Sequence, residues 1–212
     1  MSVQNLRLYR IKFQKSKRNK EYLVFHVFNL MKKQLLISVF IVMISLAFAQ
    51  DLQSLVNKAN NKIKSNHLES AEKLLQNVLD VDASFAPARI AFSKIWLQKG
   101  NLSKANEYAT LAVRIDEDFR PWWKKLNEIR SGIQNGQKYV QQSNFDKAFN
   151  EYKAISEKYP YYSQAYYYMG IAKYKQKEFQ EAALFFENAL EIYPNYHKAK
   201  KALNNVKNKA PK

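Results

Sequence analysis

The chain has 212 residues, no cysteine and a formal charge of +17. Hydrophobic residues at 47% are enough for a packed core and exclude a disordered tail, while four glycines and five prolines are too few turn residues for an all-β sandwich or barrel. Zero cysteine excludes disulfides, thiolate metal sites and a lipid-modified N-terminal cysteine.

The charge is concentrated at the ends. Residues 1–49 carry a net +8 and residues 196–212 carry +6, leaving +3 on 50–195. A nucleic-acid binder carries its charge as a stripe on the folded body. No nucleic-acid partner is expected.

Residues 1–30 hold a basic cluster at 12–20 and a short apolar run at 22–30. Next come Met31-Lys32-Lys33, an uncharged stretch 35–49 (LLISVFIVMISLAFA), and the small-x-small ending Ala47-Phe48-Ala49 before Gln50. Residues 31–49 resemble a secretory signal peptide cleaved between Ala49 and Gln50. An uncleaved N-terminal anchor is the competing reading, although 15 apolar residues are short of the ~20 a membrane span needs. Because the signal pattern starts at Met31, residues 1–30 read as a spurious or disordered extension. The alternative is a long basic leader. The expected address is the periplasm or the extracellular space.

Residues 50–212 are periodic. Leu68, Leu102, Phe145 and Phe179 form one column; Ala71, Ala105, Ala148 and Ala182 a second. Leu75, Ala109, Tyr152 and Phe186 form a third; Val78, Ala112, Ile155 and Ala189 a fourth. Every column has gaps of 34, 43 and 34, and Gly136/Gly170 and Pro160/Pro194 are also 34 apart. Within each block the spacing i, i+3, i+7, i+10 marks one apolar helix face. Pro160 and Pro194 cannot continue a helix and close the second helices. Asn101-Leu102-Ser103 and Ser143-Asn144-Phe145 read as turn-and-cap segments.

The best unit reads Tyr166-x-x-Met169-Gly170, Phe179-x-x-Ala182-x-x-x-Phe186-x-x-Ala189, Pro194. It resembles the tetratricopeptide (TPR) repeat, a 34-residue helix–turn–helix unit. Lys173 departs from an aromatic place of the family, and Lys177 from its turn glycine, which Gly100 keeps. The resemblance implies an all-α fold: a right-handed α-solenoid of about four TPR hairpins, units 52–85, 86–119, 129–162 and 163–196. A lysine-rich helix, 197–209, would cap the array. The nine extra residues 120–128 (RPWWKKLNE) extend the first helix of the third unit, giving one helix over 121–142 of roughly 33 Å. Trp122 is expected to pack inward; Trp123 is a candidate exposed interaction anchor, the favoured alternative being that both tryptophans cover the gap where the regular stack is interrupted.

Catalytic patterns are missing. Behind the signal only His67 and His197 remain, without metal-ligand spacing, and no phosphate loop or nucleophile elbow appears. No enzyme activity, cofactor or metal is expected. Asp116-Glu117-Asp118 read as a helix end and cap.

The resemblance implies a groove lined by the first helices and a protein or peptide partner. Its groove-facing places fall on Asn57, Asn60 and Lys64, then Ile90, Lys94 and Gln98, then Arg130, Gln134, Gln137 and Gln141. In the fourth unit they fall on Tyr167, Tyr168, Ile171, Tyr174 and Lys175. The family's chaperone-tail clamp is rejected, because Val56 and Ala91 occupy places that need Lys and Asn. The expected function is a non-enzymatic scaffold in the cell envelope. The alternative is an anionic or carbohydrate envelope polymer held by the tyrosine-rich groove and the C-terminal lysines.

Overall fold

The computed structural model describes the backbone of residues 3–209 and the side chains of residues 26–209. The side chains of the basic cluster at 12–20, and Lys212, lie outside the described residues. The chain divides into two units, meeting between Asp51 and Leu52.

The first unit belongs to α1 (Val3–Lys64). Residues 3–30 hold no glycine or proline, and their backbone is helical. Within this unit the large apolar residues from Val27 to Phe48 are exposed. The two serines among them, Ser38 and Ser45, donate their hydroxyls to the carbonyls of Leu35 and Val42, so the helix satisfies its own polar groups. By length and composition the helix His26–Lys64 can cross a membrane; its most apolar 18-residue stretch has a mean hydropathy of 2.2.

The second unit is all-α. Here the last part of α1 pairs with α2 (Leu68–Val81). Two further hairpins are α3 (Ala86–Gln98) with α4 (Leu102–Ile115), and α5 (Arg120–Gln141) with α6 (Phe145–Lys158). The last hairpin is α7 (Ser163–Lys175) with α8 (Phe179–Ile192), followed by α9 (His197–Lys207). No strand occurs among the described residues. The four second helices are each 14 residues long, and each starts on the first repeat column: Leu68, Leu102, Phe145, Phe179. The alanine column is fully buried throughout. Successive hairpins stack into an α-solenoid because each alone leaves an apolar face uncovered.

Helix contacts are matched by size. Gly136 on α5 lies under Tyr152 of α6, and Gly170 on α7 under Phe186 of α8. At the same register the first two units carry Ala59 and Ser93, against the smaller Leu75 and Ala109. The hairpin turns are equally regular. Asn66, Gly100, Ser143 and Lys177 occupy one register, and all have positive φ, 57° to 74°. Asn101 and Asn144 then cap α4 and α6, accepting from the amides of Lys104 and Lys147. Asp116 caps a 3-10 turn, Glu117–Phe119, by accepting from the amide of Asp118.

The extra residues 120–128 are the first turns of α5, a single 22-residue helix. Trp122 Nε1 donates to Ser93 Oγ at 2.8 Å, and Trp123 Nε1 donates to Thr110 Oγ1 at 3.2 Å. The pair fastens α5 to α3 and α4. Trp123 is therefore half-buried against the core rather than fully exposed. At Lys173, where an aromatic residue was anticipated, the ammonium is held by Glu178 and Glu181 and lies 5.0 Å over the Phe149 ring.

Candidate functional site

One cleft of about 680 Å³ opens beside α1 and α3. α1 contributes Asn57, Asn60, Asn61, Ile63 and Lys64; α3 contributes Lys94 and Gln98; Tyr161 reaches in from the turn before α7. The volume is within the roughly 300–1,000 Å³ of small-ligand sites. Five of the sequence-predicted groove residues, Asn57, Asn60, Lys64, Lys94 and Gln98, are thus brought together.

Three lining residues escaped the sequence reading. Asn61 lies four residues after Asn57 and shares its helix face, so the i, i+4 rule pointed to it. Ile63 carries no separate signal. Tyr161 counted only as one of many tyrosines near position 160; its place in the cleft depends on how the hairpins stack. Tyr161 is 41% exposed.

The floor is built from carboxamides. Gln98 is buried, and its Nε2 donates to Asn66 Oδ1 at 3.0 Å and to the Ile192 carbonyl at 3.4 Å. Asn66 Nδ2 donates to the Glu191 carbonyl at 3.2 Å, and Ser163 Oγ donates to the Gln98 carbonyl at 2.7 Å. The carbonyls of Glu191 and Ile192 belong to the last turn of α8, where no intrahelical donor remains. The α1–α2 turn and the end of α3 therefore satisfy the end of α8. Gln98 lines the cleft, but its donor is engaged in holding the array together. A smaller cleft of about 340 Å³ adjoins it, sharing Gln98 and Tyr161 and reaching Pro160 and Glu191.

The electrostatics follow from enclosure. Burial pushes the Lys94 ammonium below its ordinary pKa, and nearby Lys64 and Lys125 push it the same way. The Trp122 ring lies 5.7 Å from its Nζ. Burial raises the Tyr161 phenol.

The other expected groove residues lie elsewhere. Ile90 is core, packed with Ala86 and Ala112. On α5, Gln134, Gln137 and Gln141 are exposed and Arg130 is half-buried, all outside the cleft. Lys175 is exposed. The three expected groove tyrosines lie outside this cleft. Tyr168 stacks on Tyr152, centroids 5.1 Å apart, and accepts hydrogen bonds from Gln137 and Gln164. Tyr167 packs on Phe186 and Tyr196. Tyr174 packs on Phe179 and receives the Lys209 ammonium at 2.7 Å. Ile171 joins the cluster that holds Leu203 and Val206 of α9. All four are half-buried. The cause is the position of α7, which has α6 on one side and α8 with α9 on the other, so its aromatic residues fill interfaces.

Comparison with known proteins identifies one unit. Residues 163–196, the hairpin α7–α8 and the turn after it, match the tetratricopeptide repeat family. This hairpin is a tetratricopeptide repeat. No curated protein matches the chain. Among solved structures, one similar protein is YrrB, a TPR protein with an unusual peptide-binding site. The two are 20% identical over 71% of this chain and 90% of that one, with a TM-score of 0.36. Another is the TPR2AB domain of yeast Sti1 in complex with pHSP90, 16% identical over 74% of this chain and 70% of that one, TM-score 0.37. A third is pilF of Pseudomonas aeruginosa, 18% identical over 74% and 68%, TM-score 0.36. The TPR hairpin stands last in an array whose three earlier hairpins keep the same column register.

Proposed function

We propose that this chain is a non-enzymatic TPR scaffold of the cell envelope that holds a peptide segment of another protein in the cleft beside α1 and α3. The observation that carries the reading is the cleft's lining. Asn57, Asn60 and Asn61 present carboxamides, each both donor and acceptor, next to an apolar wall of Ile63 and Tyr161. A peptide needs that combination: partners for its N–H and C=O groups and a place for an apolar side chain. For the address, the support is the uncovered apolar stretch from Leu35 to Phe48, which follows Met31-Lys32-Lys33 and ends at Ala47-Phe48-Ala49.

A photo-crosslinking residue at Asn60, in the full chain in its native cell, tests the binding half. The expected result is one dominant partner, linked at Asn60 and not at Leu184, which is 59% exposed on α8. Equal products from both positions, or none from Asn60, would overturn the groove. The intact mass of the same protein tests the address. A mature chain starting at Gln50 is expected; a cytosolic chain starting at Met1 or Met31 would remove the envelope from the proposal.

A further inference from the structure

Positive charge is polarised along the array. Residues 50–119 hold nine basic and nine acidic residues, whereas residues 120–212 hold 17 basic and eight acidic. The excess culminates in the terminal helix α9, which has four lysines and no acid. The hairpin beneath it has little carboxylate left to offer. Glu178 and Glu181 hold Lys173, and Glu187 takes Lys207 at 3.0 Å. Lys198, Lys200 and Lys201 are exposed, and among the described residues their ammonium groups have no ion pair or hydrogen bond. α9 buries Ala199, Leu203 and Val206. Those three share one helix face, so the free lysines fan across the other, with the exposed His197, Asn204 and Asn208 between them.

The end of a helical array needs a polar cover, and charges of either sign supply one. A face of one sign, with its counter-charges absent, is complementary to an anionic surface. We propose that the outer face of α9 is a docking surface for an anionic lipid membrane, with Lys198, Lys200 and Lys201 on the lipid phosphates. A single helix lying flat sets all three lysines on a membrane at once, and each lysine at an anionic leaflet strengthens adsorption roughly fivefold. No exposed aromatic ring stands among them to stack on a base, as binders of single-stranded nucleic acid use. No large apolar side chain of α9 is exposed for insertion, so the attachment is electrostatic and reversible. The same chain carries, at His26–Lys64, a helix apolar enough to meet a membrane. A chain released at Gln50 would lose the apolar stretch before it and keep α9 as its hold on the lipid surface.

The test uses the full chain, reconstituted through its apolar helix into vesicles of phosphatidylcholine alone or with about one-third phosphatidylglycerol. The chain has no native cysteine, so a dye on Asn204→Cys reports this face alone. Its quenching by a headgroup-quencher lipid, at the same fraction in both vesicles, measures contact with the surface. The expected result is at least threefold more quenching in the anionic vesicles. The excess should vanish as salt is raised from 0.1 M to 1 M, where screening shortens from ~10 Å to ~3 Å. It should also vanish in the triple variant Lys198→Gln, Lys200→Gln, Lys201→Gln, and persist in Lys198→Arg, Lys200→Arg, Lys201→Arg, which keeps the charge. Equal quenching in the two vesicles, or an excess that the glutamine variant retains, would overturn the proposal. Release of the dye from anionic vesicles by inorganic polyphosphate, at a phosphate concentration below that of the phosphatidylglycerol, would overturn it in favour of a soluble polyanion.

Discussion

Gly136 and Tyr152 are in direct apposition: a Cβ on Gly136 would sit 2.3 Å from Tyr152 Cε1 and 2.5 Å from Cζ. The ring is 1% exposed, so it has little room to retreat. Gly136→Ala is expected to destabilise the fold. The overpacking cost of about 1–3 kcal/mol exceeds the ~1 kcal/mol that alanine gains over glycine inside a helix. Gly132, four residues earlier, is the control. Its Cβ would meet the Cδ1 end of Ile155 at 2.8 Å, and that end can swing away. Thermal unfolding by circular dichroism should show Gly136→Ala clearly lower than the parent and Gly132→Ala near it. Equal shifts would show that the Tyr152 contact is not the constraint.

The turn register predicts a stabilising change. Lys177 has φ +67°. A side chain in that region costs roughly 1–2 kcal/mol, which glycine avoids, although glycine loses more chain entropy on folding, roughly 0.5–1 kcal/mol. Lys177→Gly should therefore raise stability by up to ~1 kcal/mol. The reverse substitution belongs at Gly100, φ +74°, where a Cβ would also meet Ser163 Oγ at 3.0 Å. Gly100→Ala should destabilise. Denaturant midpoints of the two variants should move in opposite directions.

The array was legible in the sequence because column spacing and helix period are local properties. Three of the four second-helix columns lie wholly in the core, the first column being buried at Leu68 and half-buried at Leu102, Phe145 and Phe179, and α5 runs from Arg120 to Gln141 against an expected 121–142. The site was legible only in part. Asn57, Asn60, Lys64 and Lys94 share helix faces on α1 and α3, and periodicity finds faces. Tyr161 enters from a different hairpin, and no spacing along the chain reports that approach. Tyr167, Tyr168 and Tyr174 lie outside the cleft for the complementary reason. A helix-face assignment says which way a side chain leaves its own helix, but not that α6, α8 and α9 wait on both sides.

Trp122 and Ser93 form a chain with the Ala105 carbonyl: the indole donates to Ser93 Oγ, and Ser93 Oγ donates to that carbonyl at 2.6 Å. Ser93 is fully buried. Ser93→Ala leaves the indole N–H without its acceptor, a loss expected at about 1–3 kcal/mol, partly offset by the alanine's helix propensity. Trp122→Phe removes the donor and part of the packing. The double variant should cost less than the two single changes together, because once one partner is gone the second substitution has no bond left to break. A double-mutant cycle by chemical denaturation gives the coupling, expected at about 0.5–3 kcal/mol. Strict additivity would mean that the tryptophan acts by packing alone.

Lys94 supplies a pH dependence with a definite sign. Its folded-state pKa lies below the ordinary lysine value, because burial and then the charges of Lys64 and Lys125 oppose its protonated form. The unfolded chain binds that proton more readily, so stability from this group rises with pH between the folded and the unfolded pKa. Below that window the full penalty for holding the charge in the cleft is present; above it, both states are neutral and the penalty is gone. Lys94→Met removes the group. At pH 7 the variant should be at least as stable as the parent, and the parent should regain ground as the pH approaches about 10.4, the ordinary lysine value. Urea unfolding of both proteins at steps from pH 7 to 10.5 measures the difference. A variant whose relative stability increases with pH would mean that Lys94 has found a counter-ion in the folded chain.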